Sequence, residues 1–188
     1  VQPIWDTVRG LEPDLFLWLG DNIYADSDQP QALVDQYARG RAVERLAPFL
    51  RTTPQLATWD DHDFGFNDSD GSSPVKAESL AVFKDFWANP SYGEDGNPGV
   101  YFKQGFGGVD LLVLDGRYYR DPTTKPDTAD KTMLGPVQKA WLKRELKASR
   151  APFKVLAVGG GWSSAENEEG GDSWAVFLTE RNEIFDFI

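Results

Sequence analysis

The sequence predicts an α/β fold, and three observations carry that prediction. Four apolar runs of strand length, at 15–19, 55–59, 109–114 and 153–158, alternate with stretches of helical periodicity. Three of those runs end in aspartate and the fourth ends in three glycines. With 12 Phe, 7 Trp and a hydrophobic content of 40%, a chain of 188 residues can fill a real core. No repeat and no linker-like stretch divides the chain, so one domain over residues 1–188 is expected.

The elements follow in order. Ile4 to Leu11 reads as the end of a helix, and Glu12-Pro13-Asp14 as a turn. Leu15 to Leu19 is continuously apolar, which predicts a strand buried on both faces and stopped by Gly20-Asp21. Pro30 to Leu50 is helical in pattern, with Leu33, Val34 and Tyr37 on one face and a break near Gly40. Gln55 to Trp59 is the second strand. Pro74 opens a helix whose buried stripe is Leu80, Phe83 and Trp87.

Residues 92–99 read as a Gly/Pro/Asn loop. Val100 to Phe106 and Val109 to Leu114 form a hairpin turned at Gly107-Gly108. A polar loop at 121–132 leads to a helix opened by Pro136, with Val137, Trp141, Leu142 and Leu146 facing inward. Phe153 to Val158 is the last strand, and 163–172 reads as an acidic, mobile loop. The chain begins at Val1, has Met133 as its only methionine and stops inside a helical pattern, so it is expected to be a piece of a longer protein.

Composition narrows function. Thirty acidic against 19 basic residues give a net charge of −11, which repels nucleic-acid backbone and anionic membrane. No run is long enough to span a bilayer, and the absence of cysteine removes disulfides and thiolate metal sites.

The chemistry concentrates at the strand ends. In open α/β sheets ligands gather at the carboxyl ends of strands, so Asp21, Asp60, Asp61 and Asp115 are expected to converge on one cleft. Asp60-Asp61-His62-Asp63 holds the only histidine in the chain. Histidine moves protons near neutral pH and carboxylates take hard cations, so this block reads as half of a metal-dependent site. In Gly20-Asp21-Asn22-Ile23-Tyr24, Asp21 can bridge two cations and Tyr24 can add a phenolate, the alternative being a turn capped by Asp21. Asn67 offers an amide oxygen near His62. Its neighbours Asp68-Ser69-Asp70-Gly71 fail the EF-hand spacing and read instead as an Asx turn. Arg117 can clamp a phosphate with its planar fork, or make an ordinary strand-end salt bridge; Asp60 and Asp115 would support the ligands from behind. Gly159-Gly160-Gly161 permits close backbone approach without matching any phosphate-loop motif, and Trp162 and Trp174 read as packing.

Gly20 to Tyr24, the block Trp59-Asp60-Asp61-His62-Asp63-Phe64-Gly65 with Asn67-Asp68, and Leu114 to Arg120 together resemble the PhoD-like alkaline phosphatases. Leu134-Gly135, Gln138, Trp141-Leu142 and Trp174 through Glu180-Arg181 share the likeness. It implies a metallophosphoesterase sandwich of two mixed β-sheets flanked by helices, four layers deep and incomplete in this chain. It also implies a dinuclear metal centre, of calcium and iron with zinc, manganese or magnesium as alternatives, that hydrolyses a small phosphate ester. In that likeness Asp21 bridges the metals, Tyr24 ligates one, and Asp61 takes the place of the usual asparagine. His62 then serves as the catalytic histidine and Asp63 orients it. The full-length parent would be secreted or periplasmic. The family's metal-binding strand before this segment and its histidine-bearing motifs after it have no counterpart here, so weak metal binding and little activity are expected of the chain alone. The rival reading is a non-catalytic calcium- or carbohydrate-binding domain that exposes acidic loops and tryptophans.

Overall fold

A computed structural model describes residues 2–163 and 173–188. Helix α1 (Ile4–Gly10) leads into strand β1 (Phe16–Leu19), and the helical stretch after it divides into α2 (Pro30–Arg41) and α3 (Leu46–Thr52). Strand β2 (Gln55–Thr58), a single-turn helix α4 (Asp61–Phe64) and α5 (Lys76–Phe86) follow. The expected loop at 92–99 contains a two-residue-per-strand hairpin, β3 (Gly93–Glu94) and β4 (Asn97–Pro98). Strands β5 (Phe102–Phe106) and β6 (Val109–Val113), helix α6 (Gly135–Ala148), strand β7 (Phe153–Ala157) and helix α7 (Leu178–Phe187) complete the order.

β1 and β2 pair in parallel with Leu19 opposite Thr58, so their carboxyl ends finish level. β5 and β6 are antiparallel with Phe106 opposite Val109, across a turn whose Gly107 and Gly108 both have positive φ, as a two-residue hairpin loop requires. β7 adds in parallel to β6.

Three apolar clusters stack these pieces into four layers. Ala57 and Trp59 meet Leu33, Tyr37, Leu80, Phe83 and Trp87, which puts α2 and α5 on one face of the β1–β2 sheet. Leu56 and Leu17 meet Phe102, Leu111, Val113 and Ala157, which joins the two sheets face to face. Leu112 and Leu114 meet Trp141, Leu142 and Ile184, which puts α6 and α7 on the outer face of the second sheet. The order is helix, sheet, sheet, helix, as expected.

Two local expectations are corrected. β1 is half-buried rather than buried on both faces, with Leu19 51% exposed, because among the described residues β1 pairs only with β2. On α6, Val137 is exposed and Gln138 takes the inward position. Gln138 brackets the Asp115 backbone, accepting from its N–H at 2.8 Å and donating to its carbonyl at 2.9 Å. Apart from Ser163, the acidic stretch expected to be mobile lies outside the described residues. Among the described residues no helix is long and apolar enough to cross a membrane.

Candidate active site

The level ends of the parallel strands bring Gly20-Asp21 beside Trp59-Asp60. Gly20 has φ +100°, and a Cβ there would sit 2.7 Å from the Asp60 Cβ, so only glycine fits this crossing. Gly159, after β7, meets the same segment from the other sheet: a Cβ would fall 2.6 Å from the Trp59 carbonyl oxygen. Asp60 then N-caps α4 in a capping box, in which Asp63 Oδ2 accepts from the Asp60 N–H at 3.1 Å. Four residues are too few for a stable helix by themselves, and this reciprocal cap fixes the turn that carries Asp61 and His62.

Asp21, Asp61 and His62 each offer a ligand atom, and these atoms all lie within 4.8 Å of one another. Asp61 is fully buried; its Oδ2 accepts from the Asp68 N–H at 2.7 Å, while its Oδ1 has no hydrogen-bond partner. The Arg117 guanidinium lies 3.6 Å from that oxygen without a hydrogen bond, so its lone pairs remain for a cation. Tyr24 reaches the same place, donating to Asp21 Oδ2 at 3.2 Å, with its ring 4.3 Å from the imidazole. Two carboxylates, an imidazole and a phenol form a mixed oxygen and nitrogen donor set suited to a hard or borderline cation. The residues therefore fit a metal ion.

His62 Nδ1 is engaged by Asp26 Oδ1 at 2.5 Å, which leaves Nε2 outside that contact. Burial opposes protonation of the ring, but the hydrogen bond to Asp26 and the charges of Asp61, Asp21 and Asp26 outweigh it and raise its pKa. The expectation that Asp63 orients His62 is corrected here. Asp63 is buried behind α4, where it accepts from the Tyr37 hydroxyl at 2.7 Å and from the Asn22 N–H at 3.2 Å. Burial pushes its pKa up to about 7 despite those bonds. Asp26 sits in coil with no pattern around it; only its spacing five residues after Asp21 could have drawn attention.

Arg117 is likewise corrected as a phosphate clamp. Its side chain is fully buried, with Nε donating to Asp60 Oδ1 at 2.5 Å, Nη1 to the Ser69 carbonyl at 3.1 Å, and Nη2 lying 3.6 Å from Asp61 Oδ1. It compensates the charge of two carboxylates from behind and presents no fork to a ligand. Asp115 does not join the cluster either. Its Oδ1 accepts from the Arg117 and Tyr118 N–H groups at 2.8 and 2.9 Å and its Oδ2 from Val100 N–H at 2.7 Å, which shapes the turn that delivers Arg117. Burial raises its pKa. Asn67 is exposed and donates to Asp68 Oδ2 at 2.7 Å. The Asx turn expected at Asp70 is present, with Oδ1 accepting from the Ser72 N–H at 2.8 Å.

Three aspartates around the cluster, Asp21, Asp26 and Asp68, have φ of 49°, 45° and 60°. Non-glycine residues adopt the left-handed region at a cost, and such residues concentrate at functional sites.

The chain is similar to known proteins in sequence and in fold. A family model described as PhoD-like phosphatase matches residues 2–188. Alkaline phosphatase D of Bacillus subtilis (strain 168) is 27% identical over 184 residues, which cover 82% of this chain and 31% of that protein. A solved structure of PhoD superposes with a TM-score of 0.80 at 21% identity, over 97% of this chain and 44% of the other. Purple acid phosphatase PPD1 from yellow lupin seeds superposes with a TM-score of 0.59 at 13% identity, over 93% of this chain and 30% of the other. The fold is thus that of these two phosphatase structures. The chain spans about a third of the length of the curated relative and less than half of the PhoD structure.

Proposed function

Because the chain belongs to the PhoD-like phosphatase family, we propose that it carries the core of a metal-dependent site that hydrolyses small phosphate esters. The observation behind this reading is the trio Asp21, Asp61 and His62, assembled within 4.8 Å from two separate strand ends. Asp21, Asp61 and Tyr24 would hold the cation. When bound, it would polarise the phosphoryl oxygens and offset the charge of an anionic ester in an acidic protein.

The chain's own groups have distinct tasks. Asp26 fixes the imidazole by Nδ1, so that Nε2 can give a proton to the departing alkoxide. Against burial, the hydrogen bond to Asp26 and the neighbouring carboxylate charges raise the imidazole pKa, which favours the protonated ring that such a step needs. Arg117 holds Asp60 and Asp61 in place from behind, and the left-handed backbone at Asp21 and Asp26 sets their side chains before any ligand arrives. The described donors suffice for one cation. The second cation of a dinuclear centre, calcium with iron in the reading from sequence, needs ligands beyond this set.

The test is thermal unfolding with EDTA, calcium, ferric iron, zinc or manganese, beside an aryl phosphate assay on this chain and on the longer protein that contains it. A cation that raises the midpoint, loses that effect in Asp61→Asn, and supports hydrolysis that collapses in His62→Ala is the expected result. A midpoint indifferent to every cation, with no hydrolysis by the longer protein, would overturn the proposal. Stabilisation by calcium without hydrolysis would select the non-catalytic reading in its place.

A further inference from the structure

A cavity of about 180 Å³ lies beside the segment that follows Asp21, with Asn22 and Ile23 in its wall. Three indoles, Trp5, Trp18 and Trp87, line it together with Tyr37, Asn22 and Arg41. A cavity near 150 Å³ with apolar walls takes a benzene ring, so this one admits a single aromatic ring and a small substituent. Its aromatic wall is a packed row: Trp5 and Trp18 touch with ring centroids 5.3 Å apart and planes tilted by 37°, and Trp18 and Trp87 touch at 5.3 Å and 52°.

Arg41 makes this cavity more than an apolar void. Its guanidinium stacks on Trp87 at 4.4 Å from the ring centroid and donates from Nη2 to the Phe86 carbonyl at 2.5 Å. Among the described residues no carboxylate lies within ion-pair distance of it. Burial lowers its pKa, with only Tyr37 acting in the other direction. A guanidinium has five N–H donors in a planar fork that matches a carboxylate, and one hydrogen bond uses one of them. A partly desolvated cation with unspent donors beside aromatic walls is matched by one negative charge on a flat apolar body. A dianion such as a phosphate monoester would bring more charge than one arginine offsets in this setting.

We propose that this cavity is a binding site for a small aromatic monocarboxylate, its ring against the indoles and its carboxylate on Arg41. The site is separate from the Asp21, Asp61 and His62 trio but shares structure with it, since Asn22 and Tyr37 in its wall are the residues that hold Asp63 beneath α4.

Phenylacetate is the probe, titrated into the whole chain in EDTA so that no metal competes for the carboxylate. Tryptophan fluorescence and the thermal midpoint are read together. Phenylacetate should quench emission and raise the midpoint, while benzylamine, with the same ring and opposite charge, should do neither. Arg41→Gln should weaken phenylacetate by about tenfold or more, the scale of one charge-assisted contact, and leave benzyl alcohol unchanged. Equal binding of phenylacetate, benzylamine and benzyl alcohol by the unaltered chain would overturn the proposal, as would no binding of phenylacetate at all. Both comparisons hold even if Arg41→Gln fails to fold. Because metal is absent throughout, the result is independent of the phosphatase reading.

Discussion

Replacing Arg117 by methionine should uncover the charge that the site stores. Arg117 is fully buried and faces two buried carboxylates, Asp60 through a 2.5 Å hydrogen bond and Asp61 at 3.6 Å. Removing one partner of such a pair leaves uncompensated charge in the interior and costs about 3–5 kcal/mol. A chain of this size gains or loses about 2–4 °C of midpoint per kcal/mol, so the thermal midpoint in EDTA should fall by roughly 6–20 °C. The loss should not be additive with Asp60→Asn, which keeps the N-cap oxygen of α4 but removes one of the stranded charges. A coupling of about 0.5–3 kcal/mol is expected between the two changes. A bound cation does part of the arginine's work, so calcium or zinc should raise the midpoint of Arg117→Met more than that of the unaltered chain. Urea unfolding of the four-member cycle, with and without cation, reads all of this. A loss below about 1 kcal/mol in Arg117→Met, or strict additivity with Asp60→Asn, would refute the charge argument.

Other outcomes follow from single residues. His62 is the only histidine, so its ring gives one unobstructed NMR titration. In metal-free protein it should titrate above 6.5, and in Asp26→Asn its pKa should fall. With a raised folded pKa the stabilising pair is fully present below pH 6.5 and lost as pH rises through the folded value, so Asp26→Asn should cost stability chiefly at the acid end of that window. Gly20→Ala places a side chain at φ +100° and 2.7 Å from the Asp60 Cβ, and should destabilise by about 1–3 kcal/mol in urea unfolding. Gly40, inside α2, has an open position where a Cβ would meet nothing within 4 Å. Gly40→Ala should therefore stabilise by about 0.5–1 kcal/mol in the same assay.

Much of the fold was legible because its signals are local. The Gly107-Gly108 turn, the level strand exits at Gly20 and Asp60, and the stripe Leu80, Phe83 and Trp87 each follow from spacing and backbone rules. The helix at Asp61–Phe64 escaped notice because four residues show no periodicity. Its one signal was Asp60 three residues before Asp63, which reads as a capping box once the turn is known. The trio of Asp21, Asp61 and His62 could be located from strand ends, but the duties of its neighbours could not. Asp63 faces away from His62 because Tyr37 and the Asn22 backbone claim it, and both contacts span more than 25 residues. Arg117 looked available to a phosphate because nothing near it in sequence reveals that Asp60, Asp61 and Ser69 enclose it. Val137 lost its inward place to Gln138 for a similar reason, since amide pairing with a distant backbone outranks hydrophobicity there.

The left-handed backbone at Asp21, Asp26 and Asp68 narrows which sequences can occupy this loop system. A β-branched residue at any of the three would meet a steric barrier before its chemistry mattered. Asparagine and glycine are the two neighbours in sequence space that enter without that barrier. Asparagine keeps the shape of the loop and erases a charge; glycine keeps the path of the chain and erases the side chain. Backbone and electrostatic contributions, inseparable at most catalytic aspartates, can thus be dissected at these positions one at a time. The same constraint limits how the site can drift: its charge can be lost in one step, but its geometry resists change.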